Sequence, residues 1–448
     1  MSTRILVLAT DFPWPANTGH RQRLAMQVEA LAEMGDVQIF AITPPGRREP
    51  CELPEASGVV ASAVLSRARV VPGPLTRLLV RPPGPAAKAI ESERLGSEWL
   101  AKAVARAEFA TRRAWSLVTA PLPADLPAPN AAALRDGLRR FARPPYDLLW
   151  CSRPEAFIDL GCPRLGRTVL DLEDLEFVKL EAMRAHLVEA AKATGLLSSR
   201  GLHLRAAWAA SEARRWRHAI SLAVSRVDLA ALCSEEDAAR LALLGCAAEL
   251  RVVPNGYPAP RAPAGSSALH DPPVVALHGH LWYGPNRDAA LVLVNEVGPR
   301  LRRLVPGVQV RLIGEAPPEL HALHDPPRVV VTGGVKDMAA ALAEVDLVAA
   351  PIPYGSGTRT KLVEAFAHRI PVVSSTVGAE GLGAEHGQHL LLADAPGAFA
   401  VACSRLLGDA ALRRDLAGAA QALFEERFEA ASVKRAVSEA AASVLSNR

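Results

Sequence analysis

Apolar runs of strand length recur along the chain, each followed by a stretch with helical spacing. The first, Arg4 to Thr10 (RILVLAT), is continuously apolar, as a parallel strand buried on both faces requires. A proline-rich turn, Gly19 and a helix with Leu24, Val28 and Leu31 on one face come next. Gly35 stops that helix, and Val37 to Ile42 (VQIFAI) supplies a second strand, completing a βαβ unit. Further strands are predicted near 146 (YDLLWCS), 168 (TVLDLED) and 229 (LAALCS), with 175–224 largely helical. Ser234 and Asp237 are spaced as a capping box, so another helix starts there. LRVVPNG closes this half, and 257–273 reads as a linker. A second alternating series then runs PVVALHG, VQVRLIG, RVVVTGG, DLVAAPI and PVVSST. Two such series predict an α/β chain of two doubly wound domains, 1–256 and 257–428. Ligands of such sheets sit beyond the carboxyl ends of the strands. Within the first half, 72–85 is a proline-rich loop, 86–118 an Ala- and Arg-rich helical pattern, and 121–129 a second proline cluster. About 72–145 therefore reads as an insertion.

Chemistry concentrates in Pro353 to Val373 (PYGSGTRTKLVEAFAHRIPVV). A loop punctuated by Gly355 and Gly357 runs into a helix that carries Arg359, Lys361 and Glu364 and ends before Pro371. Two glycines let backbone approach a ligand, and a helix start supplies unpaired N–H groups and positive dipole. Arg359 and Lys361 add formal charge there, and Glu364 projects from the same face as Lys361. A phosphate clamp beside a carboxylate that accepts from ribose hydroxyls suits a nucleotide diphosphate carrying a sugar.

The same residues resemble the donor-binding segment of family 4 glycosyltransferases, the retaining branch of the GT-B fold. The bacterial subset of that family reads roughly P-x-x-x-G-S-G-T-R-x-K-x-x-E-A-x-A. The resemblance implies two Rossmann-like domains facing across a cleft, the first for the acceptor and the second for the nucleotide sugar. It also implies a terminal helix, 429–448, that crosses back to the first domain. Arg359 and Lys361 would hold the donor diphosphate and Glu364 the ribose, with Gly355, Ser356, Gly357 and Thr358 as the donor loop. Ser356 stands where many relatives have a Glu on the donor sugar, which leaves the sugar's identity open. Arg369 replaces a glycine usual after this helix, so the local turn is expected to differ.

Other segments match the family in the same way. Gly279, Pro285 and Asn286 fit a G-x-x-x-x-x-P-N loop, with Asn286 as a donor contact or, with Asp288, as a helix cap. The strand ends at Gly314 and at TGGV would line the base, read by main chain near Val335, or are simple turns. Glu380 in GAEGL touches the donor sugar or caps a helix. Gly19 matches a glycine loop at the donor phosphate or acceptor. His20 and Arg21 follow it at a helix start, where cations oppose the dipole unless an anion binds, and otherwise they are solvated. Relatives place a His-Asp pair near the acidic cluster DLEDLE. Here Asp171, Glu173 and Asp174 would bind the acceptor or assist its deprotonation, with a helix cap as the alternative for Asp174.

Composition narrows the classes. The chain has 448 residues, half of them hydrophobic, with a net charge of +4. That length suits two or three domains, and scattered arginines do not make a nucleic-acid surface. The Ala, Leu, Val and Arg bias points to a GC-rich bacterial genome. Six cysteines without a C-x-x-C pair suit reduced, cytoplasmic thiols. No leader, membrane span or metal-ligand spacing is visible, so no cofactor and no metal are expected. Arg-bearing helices at 86–118 and 200–217 are either solvated faces or peripheral contacts to an anionic membrane. The expected activity is transfer of a sugar from a nucleotide-diphosphate donor to a hydroxyl acceptor with retention. That acceptor is a glycan, a lipid-linked sugar or a secondary metabolite. A sugar-nucleotide epimerase or phosphorylase, and a non-catalytic partner subunit, are the alternatives on this fold. A dinucleotide oxidoreductase would rest on Gly355-Ser356-Gly357 alone.

Overall fold

A computed structural model describes residues 2–44, 51–54, 57–67, 122–123, 126–192, 196–260 and 268–446. The sequence-predicted loop 72–85 and helical pattern 86–118 lie outside the described residues. Seven parallel strands form the first sheet, in the order β3-β2-β1-β4-β5-β6-β7. They span β1 Thr3–Ala9, β2 Gly35–Thr43, β3 Val59–Ser66, β4 Leu148–Ser152, β5 Arg167–Glu173, β6 Leu229–Leu232 and β7 Glu249–Val252. Six parallel strands form the second sheet, in the order β10-β9-β8-β11-β12-β13. These are β8 Val274–His278, β9 Gln309–Ile313, β10 Val329–Gly333, β11 Leu347–Ala350, β12 Val372–Ser374 and β13 Leu391–Leu392. The expected pair of doubly wound α/β domains is present, each Rossmann-like.

The central strands are buried because helices cover both sheet faces, so continuous aliphatic runs are stable there. Ile5 to Ala9 and Val275 to Leu277 are fully buried. Strand order reverses beside β1 in one sheet and beside β8 in the other, and such switch points open a crevice at the strands' carboxyl ends. Tyr257 donates its backbone N–H to the Phe428 carbonyl at 2.9 Å where the chain crosses between domains. The returning helix Ala430–Ser446 buries Val433, Val437 and Val444 against Leu24, Val28 and Leu31 of the helix Gly19–Ala32. Lys434 pairs with Glu29 at 2.7 Å on the rim of that contact. In the helix Leu196–Val224, Arg215 pairs with Glu212 at 2.7 Å and Arg217 reaches Glu181. Among the described residues no helix is long and apolar enough to cross a membrane.

Candidate active site

The helix Thr360–Ala367 begins at the crevice beyond β8 and β11. Its Lys361 is only 7 % exposed, and its ammonium donates to Asn286 Oδ1. Asn286 in turn donates from Nδ2 to the His280 carbonyl at 2.9 Å, so it braces the lysine and is not a helix cap; Tyr283 occupies the cap position. Burial lowers the Lys361 pKa to about 7, the Arg359 charge adds to this, and Glu364 opposes it. Arg359, at the cap position, folds back on its own loop and donates to the Ser356 and Gly357 carbonyls. Its Nη2 is buried without a hydrogen-bond partner, a donor left over for a ligand. Gly279 lies against the Lys361 side chain, and next to it Gly314 (φ 130°) allows no side chain, since a Cβ would collide with the Gly279 carbonyl. Bare backbone therefore forms the floor where β8 and β9 end.

Glu364 lies a turn further along the same helix face. His278 Nε2 is 3.1 Å from its carboxylate, an ion-pair distance without hydrogen-bond alignment. The Tyr257 hydroxyl stands near the same group. Burial works to raise the Glu364 pKa, but His278 and Tyr257 outweigh it and hold the carboxylate below its ordinary value.

Across the crevice, a Cβ on Gly19 would stand 3.3 Å from Thr360 Oγ1, so the two helix starts nearly touch. His20 Nδ1 is 2.8 Å from Glu173 Oε2, and Nε2 is 3.2 Å from Thr10 Oγ1. Arg153 Nε donates to the same Glu173 oxygen at 2.7 Å. Burial opposes ionisation of Glu173, yet Arg153 and His20 hold its pKa well below the ordinary value. Arg153 (φ 70°) and Glu173 (φ 59°) both adopt left-handed backbone. Such residues cost about 1–3 kcal/mol each and persist where the surroundings enforce them, often at functional sites. A register shift between Asp171 and Glu173 re-aims the end of β5.

Residues 272–409 match the family of glycosyl transferases group 1. HepE of Anabaena, solved in complex with UDP and glucose, superposes with TM-score 0.59 at 16 % identity, covering 98 % of this chain and 100 % of HepE. Sucrose-phosphate synthase from Thermosynechococcus elongatus gives 0.60 at 16 %, covering 96 % of each chain. A glycosyltransferase from Rickettsia africae gives 0.59 at 10 %, covering all of both. No curated protein matches the chain. The shared GT-B fold and the glycosyltransferase segment together support glycosyl transfer. That segment contains Asn286, Gly314, Val335, Gly355 to Lys361, Glu364 and Glu380.

Several expected contacts of the glycosyltransferase segment are placed differently. Ser356 Oγ donates to the Leu175 carbonyl at 3.1 Å, and Thr358 Oγ1 to the Cys233 carbonyl at 3.2 Å. Both side chains are buried in the first domain's surface and do not face the crevice, so any donor contact there falls to backbone. Glu380 follows the short helix Thr376–Ala379 and pairs with Arg240 across the domains, so its carboxylate is already engaged. Val335 sits in the loop after β10 and packs on the second core. Gly357 (φ 72°) is pressed against Asp174, whose Cβ a side chain there would approach to 2.9 Å. Asp174 is not a cap, because its helix begins at Glu176.

In the first domain Asp171 is 0 % exposed, accepts from Arg23 Nε at 2.9 Å and from Gln27 Nε2 at 2.7 Å, and offers nothing to an acceptor. Its role is to neutralise a buried arginine. Arg21 donates to Asp11 at 2.7 Å and to Asn17 at 2.9 Å, so Asp11 is the anion that answers its position at the helix start. Arg369 keeps the left-handed turn (φ 56°) where a different turn was expected. Arg153, Tyr257 and His278 were missed. Arg153 follows β4 and His278 ends β8, so both stand at the switch points where sequence order alone locates a crevice. Among the described residues no three His, Cys, Asp or Glu side chains group as metal ligands.

Proposed function

We propose that this protein transfers a sugar from a nucleoside-diphosphate donor to an acceptor hydroxyl, with retention at the anomeric carbon and without a metal ion. The observation that carries the reading is the buried Lys361 at a helix start, next to Arg359 with its spare N–H and one turn before Glu364. As the glycosidic bond breaks, negative charge grows on the diphosphate and positive charge on the sugar. Lys361, Arg359 and the helix N-terminus answer the first. Glu364 accepts from the ribose hydroxyls. On the acceptor side, the His20–Glu173–Arg153 array faces the same crevice, where an acceptor hydroxyl approaching the sugar from the departing face would lie. The leaving phosphate takes that hydroxyl's proton, so no enzyme nucleophile is required. HepE, solved with UDP and glucose, makes uridine nucleotides the first donors to try. Ser356 spends its hydroxyl on Leu175 in place of a sugar-binding carboxylate, which keeps a non-catalytic partner subunit as the competing reading.

The test is turnover with a panel of sugar nucleotides, for wild type and Lys361→Ala. Loss of one such charge-stabilising contact costs roughly 10²–10³-fold in rate, and the variant is expected to keep its fold. Near-wild-type turnover in the variant would refute the assignment, and a wild type that turns over no donor would favour the partner-subunit reading.

A further inference from the structure

Among the described residues the Lys361 ammonium has one hydrogen-bond acceptor, and it is neutral: Asn286 Oδ1. Both side chains are buried. The amide is held the right way round. Its Nδ2 donates to the His280 carbonyl at 2.9 Å, and an amide that donates there must turn its oxygen toward Lys361. Bare backbone lies against the ammonium, since a Cβ on Gly279 would stand 3.7 Å from Nζ. Asn286 sits in the first turn of the helix Gly284–Val292, which Tyr354 fastens by donating its hydroxyl to Asp288 Oδ2 at 2.9 Å. Other charges around the pair are committed elsewhere. Arg287 pairs with Asp288 at 3.1 Å, His278 lies 3.1 Å from Glu364, and across the crevice His20 and Arg21 pair with Glu173 and Asp11. Arg359 and Glu364 are the charges that act on Lys361, the arginine more strongly.

We propose that Asn286 is a positioning residue that holds the Lys361 ammonium in place for the donor diphosphate while leaving its charge uncompensated. This rests on the reading of Lys361 as a diphosphate ligand. A buried lysine is ordinarily paired with a carboxylate, because an uncompensated charge in a poorly solvated site is costly. A carboxylate at position 286 would remove that cost in the empty protein, but it would also repel the incoming phosphates and compete with them for the ammonium. The amide has the same shape and no charge. It accepts from one of the three ammonium donors, orders the flexible stem of the lysine and leaves the remaining donors for phosphate oxygens. The charge then goes unanswered until the ligand brings its own.

Asn286→Asp keeps the size of the side chain and its acceptor for Lys361 while adding a negative charge. Asn286→Ala removes the acceptor and adds none. Calorimetric titration first finds the tightest of UDP-glucose, UDP-galactose, GDP-mannose and ADP-glucose. That donor is then measured with wild type and both variants at about pH 5.5, about pH 6.5 and about pH 8.5. At the middle value Asn286→Asp is expected to bind at least about tenfold more weakly, the scale of one charged contact. Its affinity should stay level up to the highest value, because the new carboxylate holds the proton on Lys361. Asn286→Ala should shift the other way. With no acceptor to favour the ammonium, its affinity already falls between the two lower values, where wild type is level. An amide that only braced its helix would change affinity by the same factor at every pH in both variants. That result, or wild-type affinity in Asn286→Asp at the middle value, overturns the proposal. Should Asn286→Asp fail to fold, the profile of Asn286→Ala decides by itself. A pH-independent affinity in wild type, or wild-type affinity in Lys361→Met, would instead overturn the reading of Lys361. If wild type binds none of the four donors, both fall.

Discussion

Lys361 is buried against a neutral amide, and the charge of Arg359 acts on it more strongly than that of Glu364. That environment disfavours the ammonium, which is why its pKa falls to about 7. A bound diphosphate supplies the missing anion and restores the charge. The sign follows from linkage. Below about pH 7 the lysine of the free protein already carries its proton, so binding is indifferent to pH there. Above that value the free protein has lost the proton and must take it up to bind, so affinity falls as pH rises, by up to about tenfold per unit. The diphosphate diester of a sugar nucleotide does not titrate in this range, which makes it the right probe. Titration at about pH 6.5 and about pH 8.5 should show weaker binding and proton uptake at the higher value. Lys361→Met should bind weakly and without pH dependence, and a flat profile in wild type would contradict the proposed role. At this scale Lys361 and Glu364 were legible, because a three-residue spacing on one helix face is a local property. Ser356 and Thr358 were not: their acceptors are carbonyls 181 and 125 positions away, and nothing local encodes that pairing.

The helix Thr360–Ala367 has only eight residues and depends on how it ends as well as on its packing. Ile370 N–H donates to the Ala365 carbonyl at 2.9 Å and Arg369 N–H to Phe366 at 3.0 Å, the double closure of a Schellman motif. That closure needs a left-handed residue, and Arg369 supplies it at φ 56° in place of glycine. An L-residue pays about 1–2 kcal/mol for this backbone, offset here only by an exposed contact to Gln421. Arg369→Gly is therefore expected to stabilise the protein by about 1 kcal/mol in chemical denaturation, with donor binding intact. A loss of stability would show that the Gln421 contact outweighs the strain. The sequence identified the missing glycine but misjudged its consequence, since the hydrogen-bonding demand of the helix end outweighed the residue's preference. Strands were legible wherever aliphatic runs are buried on both faces. β3 was not, because it lies at the sheet edge with half-exposed, alternating residues.

The two domains are locked by polar contacts at and beside the loop that carries Ser356 and Thr358. Ser356 and Thr358 bond to the first domain, Asn255 Nδ2 reaches the Thr358 carbonyl at 3.5 Å, and Arg240 reaches Glu380. The loop that would cradle the diphosphate is thus also the seam between the domains, and its shape depends on their closure. Both domains and their order were legible from two strand–helix series, whereas the seam required long-range pairing that only the fold reveals. The most direct test is a crystal structure with UDP bound. The diphosphate should lie between the Gly19 loop and the Thr360–Ala367 helix, within hydrogen-bond reach of Lys361 Nζ and Arg359 Nη2, with ribose hydroxyls on Glu364. A nucleotide seated elsewhere, or one whose phosphates avoid Lys361 while its ribose faces away from Glu364, would contradict the account.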